Sequence, residues 1–135
     1  MMKDCIFCKI LNEEIDSLDL YEDDLVKAFL DVNPKSNGHL LVVPKKHYEN
    51  IFKTPDKVLK RINVVCKKMA LLCKEKLNCK GVNIINASGK EAQQSVFHIH
   101  YHVLPRYKND GIDLSFHGDS EVIKDIKETH KILKS

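Results

Sequence analysis

The sequence predicts an α+β domain, and three observations carry this prediction. Two apolar stretches rich in strand-forming residues, 26–31 and 39–44, flank a loop of turn-forming residues and predict an antiparallel hairpin. Residues 55–77 repeat apolar side chains at steps of three and four, which is typical of an amphipathic helix. Residues 95–104 alternate histidine with apolar side chains and predict another strand. Hairpins with a long helix beside them favour a sheet layer covered by helices.

Turn and cap residues set the expected limits of these elements. The first two strands are separated by the turn-forming run 33–38, and Pro44 ends the second. Thr54 is expected to cap the long helix, with Pro55 at its first position. A third strand is expected at 81–86 and a polar loop at 87–94. Pro105 is expected to stop the histidine strand. Spaced apolar residues predict a C-terminal helix within 119–133.

Length and composition indicate one globular domain spanning residues 1–135. The chain is 43% hydrophobic and 30% charged, and its net charge of +3 is too small to argue for a nucleic-acid partner. Apolar runs long enough to cross a bilayer, about 20 residues, are absent from the sequence. Charged residues interrupt the first apolar stretch before it reaches signal-peptide length, so we expect a cytoplasmic protein without a membrane partner.

The histidine-rich strand is the most informative segment. Side chains alternate between the two faces of a strand, so Phe97, Ile99, Tyr101 and Val103 are expected to enter the core. The other face then presents three imidazoles, from His98, His100 and His102. Such a row contributes little packing, which indicates a chemical role. A neutral imidazole can attack phosphorus and form a phospho-histidine that water cleaves. Histidines in a His-x-His pattern also recur in zinc sites, so metal binding is the alternative.

The cysteines suggest a second functional feature. Their number, five, argues against a closed set of disulfides, and Cys66 and Cys73 fall on the apolar stripe of the long helix. Cys5 and Cys8 instead form a Cys-x-x-Cys pair. By itself this pair is compatible with metal binding, redox activity or no function at all.

Several of these motifs, taken in order, resemble the histidine triad (HIT) family. The segment His98 to Leu104 has its three alternating histidines, and the resemblance extends upstream through the runs 28–32 and 38–47 and through Asn86. It covers roughly residues 5–107 and is strongest for the small bacterial-type members of the Hint branch. The resemblance implies a HIT-like antiparallel sheet of about five strands, one long central helix and a C-terminal helix.

The resemblance also implies an activity, hydrolysis or transfer at the α-phosphate of a purine nucleotide through a nucleotidyl-histidine. Nucleoside phosphoramidates that release AMP or GMP are the implied substrates, and His100 is the implied nucleophile. The full set of implied catalytic residues is His100, His98, His102, His39 and Ser95. The implied nucleotide-binding residues are Phe29, Asp31, Val32, Asn86, Gln94, Ser95, His100 and His102. Among them, Asp31 is assigned to the ribose hydroxyls, which suits a carboxylate acceptor.

Two further implications concern zinc and assembly. By resemblance, the zinc ligands are Cys5, Cys8, His47 and His98. Four ligands with no open position describe a structural site rather than a Lewis acid. Relatives form two-fold dimers through their sheet edges and long helices, so a homodimer is implied.

One position departs from the family pattern, and two other functions compete with the first. Gln93 stands where relatives carry glycine before the Gln-Ser pair, and glutamine resists backbone angles that glycine adopts freely. Hydrolysis of dinucleoside polyphosphates would use the same chemistry on another substrate. A nucleotide- or metal-binding module without catalytic activity is the third possibility.

Overall fold

The computed structural model describes residues 4–135, so residues 1–3, at the start of the expected domain, lie outside it. The fold is α+β, as the sequence predicts. Its strands are β1 (Asp19–Glu22), β2 (Val26–Leu30), β3 (Leu40–Pro44), β4 (Gly81–Ile85) and β5 (Tyr101–Arg106). Its α-helices are α1 (Ile6–Leu11), α2 (Asp56–Leu77) and α3 (Ile126–Lys134). The five strands form one antiparallel sheet in the order β1-β2-β3-β5-β4.

The predicted hairpin is the centre of this sheet. β2 and β3 pair in register from Val26 opposite Pro44 to Leu30 opposite Leu40. Gly38 in the connecting loop has φ +91°, and a Cβ there would meet the Leu77 side chain at 2.5 Å. A residue with a Cβ would be strained at this backbone angle and would displace the Leu77 side chain, so the turn favours glycine.

The two faces of the sheet carry different layers. The long helix α2 covers one face, where the largest buried group includes Ala28, Val42, Ile62 and Val65. Cys66 and Cys73 belong to this core, as expected from the stripe. The short helix α1 covers part of the other face, where Phe7 and Cys8 pack with Phe29. The rest of that second face is left for the site described below.

The prediction of one histidine strand over residues 95–104 is wrong for its first half. Only Tyr101–Arg106 is β-strand, because the backbone before it bonds to loops instead of to a neighbouring strand. The Ile99 N–H donates to the Tyr48 carbonyl at 2.7 Å, and the Asn86 side chain donates to the His100 carbonyl at 3.1 Å. The expected alternation is therefore broken, and Phe97 is 44% exposed rather than buried.

Three expected element limits also differ from the structure. Pro105 does not end β5, because β5 continues to Arg106 beside β4 after its pairing with β3 has ended at Val103. A proline is tolerated where its missing N–H faces no partner strand. Thr54 does not cap α2. Pro55 is the N-cap residue, and the Thr54 hydroxyl donates to the Asn50 carbonyl at 2.7 Å.

The C-terminal region contains the expected helix in two parts, a 3-10 turn at Ser120–Val122 and then α3. Every residue of 113–135 is exposed, including apolar side chains such as Phe116 and Ile126. Within residues 4–135, no helix is both long enough and apolar enough to pass through a bilayer.

Candidate active site

A cavity of about 600 Å³ opens on the face of the sheet that α1 covers in part. Its floor comes from β2, β3 and β5, and one wall comes from α1. Seven residues expected from the sequence line it or stand at its rim. Five of them are polar or ionisable: Asp31, His39, Ser95, His100 and His102. Phe29 and Val32 provide apolar surface, and Lys35 brings a positive charge to the same rim.

His100 lies at the base of this cavity in a defined orientation. Its ring is 5% exposed, and Nδ1 lies 2.9 Å from the carbonyl oxygen of His98. Because a carbonyl can only accept, Nδ1 carries the proton and donates it. The neutral ring therefore keeps a free lone pair on Nε2. Burial lowers the pKa of His100 below its ordinary value, so the ring is neutral near pH 7.

His39 and His102 form a hydrogen-bonded pair beside His100. The Lys35 N–H donates to His39 Nδ1 at 3.1 Å, so the neutral His39 ring carries its proton on Nε2. That proton is donated to His102 Nδ1, 2.9 Å away. His102 is left with a proton on Nε2, where it can donate to a ligand. Burial first, and then the neighbouring His100 and His39, lower the pKa of His102 to about 4.

The hydrogen bonds of His39 and His102 also bear on a second group of potential metal ligands, to which both residues belong. Atoms of Asp31, His39 and His102 lie within 4.8 Å of one another, close enough to surround an ion. A metal would need the lone pair of His39 Nε2, however, and the Lys35 N–H makes that nitrogen the protonated one. The arrangement therefore favours hydrogen bonding to a ligand over metal coordination.

The four expected zinc ligands meet on the far side of His100. The Nδ1 atom of His98 lies 3.3 Å from Cys5 Sγ and 3.6 Å from Cys8 Sγ, and His47 Nδ1 lies 3.4 Å from Cys8 Sγ. All four ligand atoms fall within 4.8 Å of one another. A tetrahedral zinc ion with ordinary bond lengths separates sulfur and nitrogen ligands by about 3.6 Å. The donor set and its spacing therefore fit zinc.

His98 is consequently a member of this Cys/His cluster and not of the cavity. Its ring is fully buried, and Nε2 donates to the Pro44 carbonyl at 2.9 Å. That bond leaves the Nδ1 lone pair directed at the cysteines, the arrangement that orients a metal-binding histidine. Burial lowers the pKa of His98 to about 4, which keeps the ring neutral. The expected face of three histidines thus divides between two sites.

Two expected nucleotide-binding residues lie outside the cavity lining. The buried Gln94 amide donates to the carbonyls of Glu49 and Val96, and its oxygen accepts from Gly89 N–H. The Asn86 amide donates to the His100 carbonyl and accepts from the Ser88 hydroxyl. Both side chains therefore hold the loops around the site in position, and neither lines the cavity.

The sequence analysis missed the wall contributed by α1. Ile6, Phe7 and Ile10 line the cavity, together with Ile112 and Leu114 from the segment after β5. The spacing of Ile6, Phe7 and Ile10 is helical and was a usable signal. Cys5 and Cys8 in the same segment were interpreted only as a pair suited to metal binding, redox activity or no function.

The comparisons with known proteins agree with this architecture. The model of the HIT domain family matches residues 12–109. The chain belongs to the HIT family. A HIT-like protein of uncharacterised function from Borreliella burgdorferi is 52% identical over 113 residues, which is 82% of this chain and 81% of the relative. The adenylylsulfatase HINT3 of Arabidopsis thaliana is 38% identical over 113 residues, 82% of this chain but 56% of that protein.

Solved HIT structures superpose on nearly the whole chain. A HIT family protein from Bacillus anthracis gives a TM-score of 0.87 at 34% identity, covering 99% of this chain and 95% of its own. A zinc-bound histidine triad protein from Mycobacterium smegmatis gives 0.77 at 36% identity, covering 97% and 91%.

The backbone conformation of Gln93 generates a prediction about stability. Gln93 adopts φ +66° and ψ 33°, the left-handed conformation that a residue with a Cβ adopts only at a cost. Replacing it with glycine, Q93G, should raise the free energy of unfolding by about 1 kcal/mol, measured by urea denaturation. The control Q93A keeps the Cβ and should give no such gain. An equal gain for both variants would contradict the backbone explanation.

Proposed function

We propose that this chain hydrolyses purine nucleotides at the α-phosphate, with His100 as the nucleophile. The observation that carries the proposal is the hydrogen bond from His100 Nδ1 to the His98 carbonyl, at 2.9 Å. It leaves Nε2 unprotonated at the base of a cavity large enough for a nucleotide. The nucleophile is therefore already in the protonation state and tautomer that attack on phosphorus requires.

The reaction proceeds in two displacements. His100 Nε2 forms a bond to phosphorus as the bond to the leaving group breaks, and the ring becomes a cation whose Nδ1–H still donates to the His98 carbonyl. The leaving atom takes a proton, which we assign to the cavity-lining Ser95 hydroxyl, and the proton that the attacking water loses in the second displacement restores that hydroxyl. Water then attacks phosphorus, the Nε2–P bond breaks, and the nucleoside monophosphate is released. His102 donates its Nε2–H to a phosphoryl oxygen in both steps.

The remaining lining residues suit the rest of a nucleotide. The Asp31 carboxylate accepts from the ribose hydroxyls, and Phe29 and Val32 with the α1 side chains offer apolar surface to the base. Asp31 is held in place because its Oδ1 accepts from the Asn33 N–H at 2.8 Å. The breadth of this apolar wall favours a two-ring purine. Asn86 and Gln94 act by positioning the loops, as their hydrogen bonds indicate.

Nucleoside phosphoramidates are the substrates we place first. The leaving amine of a phosphoramidate needs a proton, and it does not need a cationic partner. Hydroxyl and imidazole donors can supply that proton. Dinucleoside polyphosphates are the second candidate, favoured by one observation. Lys35 lines the cavity near His39, and its ammonium group would attract an anionic leaving group.

We further propose that zinc occupies the Cys/His cluster as a structural ion. Support comes from the tetrahedral spacing of Cys5, Cys8, His47 and His98 and from the zinc-bound mycobacterial neighbour. With four protein ligands, the ion would stabilise the N-terminal segment against β3 and leave His100 free to react. The cysteines must be reduced to act as ligands, and all five in the chain are free thiols, as suits the cytoplasm.

A homodimer is the assembly we propose. Leu71 on α2 and Ile84 on the edge strand β4 are apolar, respectively 55% and 42% exposed. An edge strand with unpaired backbone groups beside exposed apolar residues is a suitable surface for a second copy.

Replacement of His100 tests the proposed chemistry. H100A should lower kcat on an adenosine phosphoramidate by about a thousandfold or more while leaving the Kd for AMP within a few fold. The control variant H130A changes an exposed histidine on α3 and should retain wild-type turnover. Substantial turnover by H100A would contradict the assignment, whichever substrate is used.

The pH profile gives a second test of the same nucleophile. Attack requires neutral His100, and burial lowers the pKa of this residue. In the free enzyme, kcat/KM should therefore stay high as the pH falls through about 6.5, the ordinary histidine value, and decline only below it. A decline centred at or above that value would show that the reacting group is not a buried imidazole.

Metal analysis tests the structural ion. Purified protein should contain one zinc per chain, and C8S should lose zinc and melt at a lower temperature, because a ligand is removed from the cluster. C79S provides the control, since Cys79 is equally buried but belongs to the core under α2. Absence of zinc from the wild-type protein, or equal zinc contents in C8S and C79S, would contradict this part of the proposal.

Sedimentation equilibrium tests the assembly. The wild-type protein should have about twice the 15.5 kDa mass of the chain. L71D should dissociate at micromolar concentration, since it places a charge in the proposed interface. F52D makes the same kind of change at a side chain that is 81% exposed elsewhere, and it should remain dimeric. A monomeric wild-type protein would rule the dimer out.

A further inference from the structure

Phe7 is placed between the Cys/His cluster and the nucleophile. It lies on α1 between the two cysteines of the cluster, its side chain is 6% exposed, and it lines the nucleotide cavity. Its ring meets the His98 ring edge-on, with centroids 5.7 Å apart and an interplanar angle of 88°. On the other side it meets the His100 ring at 5.0 Å and 66°. One side chain therefore touches a metal-ligand histidine and the attacking histidine.

The backbone of His98 provides a second connection between the same two sites. The side chain of His98 belongs to the cluster, whereas its carbonyl oxygen accepts the Nδ1–H of His100. A shift of His98 would thus move the hydrogen bond that orients the nucleophile. Phe7 and His98 are the two routes by which the cluster contacts His100.

The helix that carries Phe7 depends on the cluster for its position. The six residues of α1 are too few for a stable isolated helix. Cys5 caps its first turn, accepting from the Cys8 N–H at 3.4 Å. An ion that binds both thiolates would hold this turn against His98. Without the ion, the turn would depend on its apolar packing and on the Cys5 cap, so Ile6, Phe7 and Ile10 would be held less firmly in the cavity wall.

We propose that Phe7 is a positioning residue that couples metal binding at the Cys5/Cys8/His47/His98 cluster to nucleotide binding in the cavity. This inference rests on the proposed function, because it takes AMP as the ligand and zinc as the ion. Each ligand favours the placement of α1 that the other requires. By thermodynamic linkage, zinc must tighten AMP binding by the same factor by which AMP tightens zinc binding.

Two equilibrium measurements on the full chain test the coupling. The Kd for AMP is measured by calorimetry with zinc-loaded and zinc-free protein, and the Kd for zinc is measured by chelator competition with and without saturating AMP. In the wild-type protein, we expect zinc to tighten AMP binding and AMP to tighten zinc binding by one common factor of about fivefold or more. Neither measurement depends on catalytic turnover.

Three substitutions identify Phe7 as the connection. F7L should still bind one zinc but clearly lower the factor, because the ring contacts with both histidines are lost and only the connection through the His98 backbone remains. F7Y keeps the ring and should retain the factor, which provides the rescue if F7L is poorly folded. F29L makes the same change in Phe29, whose ring centroid lies 6.0 Å from that of Phe7. Phe29 takes no part in the contacts of Phe7 with the two histidines. F29L should weaken AMP binding and keep the factor.

The outcomes separate this inference from the proposed function. A wild-type protein that binds zinc and hydrolyses nucleotides but shows a factor of one overturns the coupling alone. A factor that F7L leaves unchanged, or that F7Y lowers equally, overturns the role of Phe7. A protein that neither binds AMP nor turns over any nucleotide overturns both proposals.

Discussion

The hydrogen bond between His100 Nδ1 and the His98 carbonyl is the interaction on which the site depends. At 2.9 Å it determines which ring nitrogen carries the proton, and so it determines which one can react. The bond exists only because the chain before β5 is not in a regular ladder. In an extended strand, the carbonyl two residues earlier would be engaged with a neighbouring strand, or directed toward one, rather than toward the His100 ring.

Burial has one common effect on the histidines around this bond. It lowers the pKa of His39, His98, His100 and His102, and neighbouring imidazoles lower two of these values further. Neutral rings can act as donor and acceptor at once, which a protonated ring cannot do. The chain from the Lys35 N–H through His39 to His102 requires that neutral state. Burial disfavours the charged form of these rings. By keeping them neutral, it allows each ring to donate with one nitrogen and accept with the other.

The fold separates the roles of four similar side chains by placing them around one sheet. His98 faces the cysteines and β3, whereas His100, His102 and His39 face the cavity. A scaffold ion in the cluster and a reacting imidazole in the cavity can thus be adjacent without sharing a ligand. Because α1 borders both the cluster and the cavity, a movement of this helix would affect both.

Local patterns in the sequence were sufficient for the elements whose partners are near in the chain. The β2–β3 hairpin, the span of α2 and the presence of a helix near the C-terminus follow from turn chemistry and apolar periodicity. The resemblance to the HIT family, carried by the motifs from Ala28 to Leu104, supplied the five-strand sheet. The grouping of Cys5, Cys8, His47 and His98 also came from that resemblance, since its members are up to 93 positions apart.

What the sequence determined by itself is the set of chemical groups: a turn-forming run at 33–38, an apolar helix stripe and an unusual concentration of histidine and cysteine. Only the tertiary structure decided which of them meet. Long-range hydrogen bonds to the Tyr48 carbonyl and from the Asn86 side chain hold residues 98–100 out of the ladder, and the histidines divide between two sites. The tertiary structure also directs the Gln94 amide to backbone groups and places Phe7 against both His98 and His100. Periodicity reports the faces of a regular strand, and it carries no information where distant partners replace the neighbouring strand.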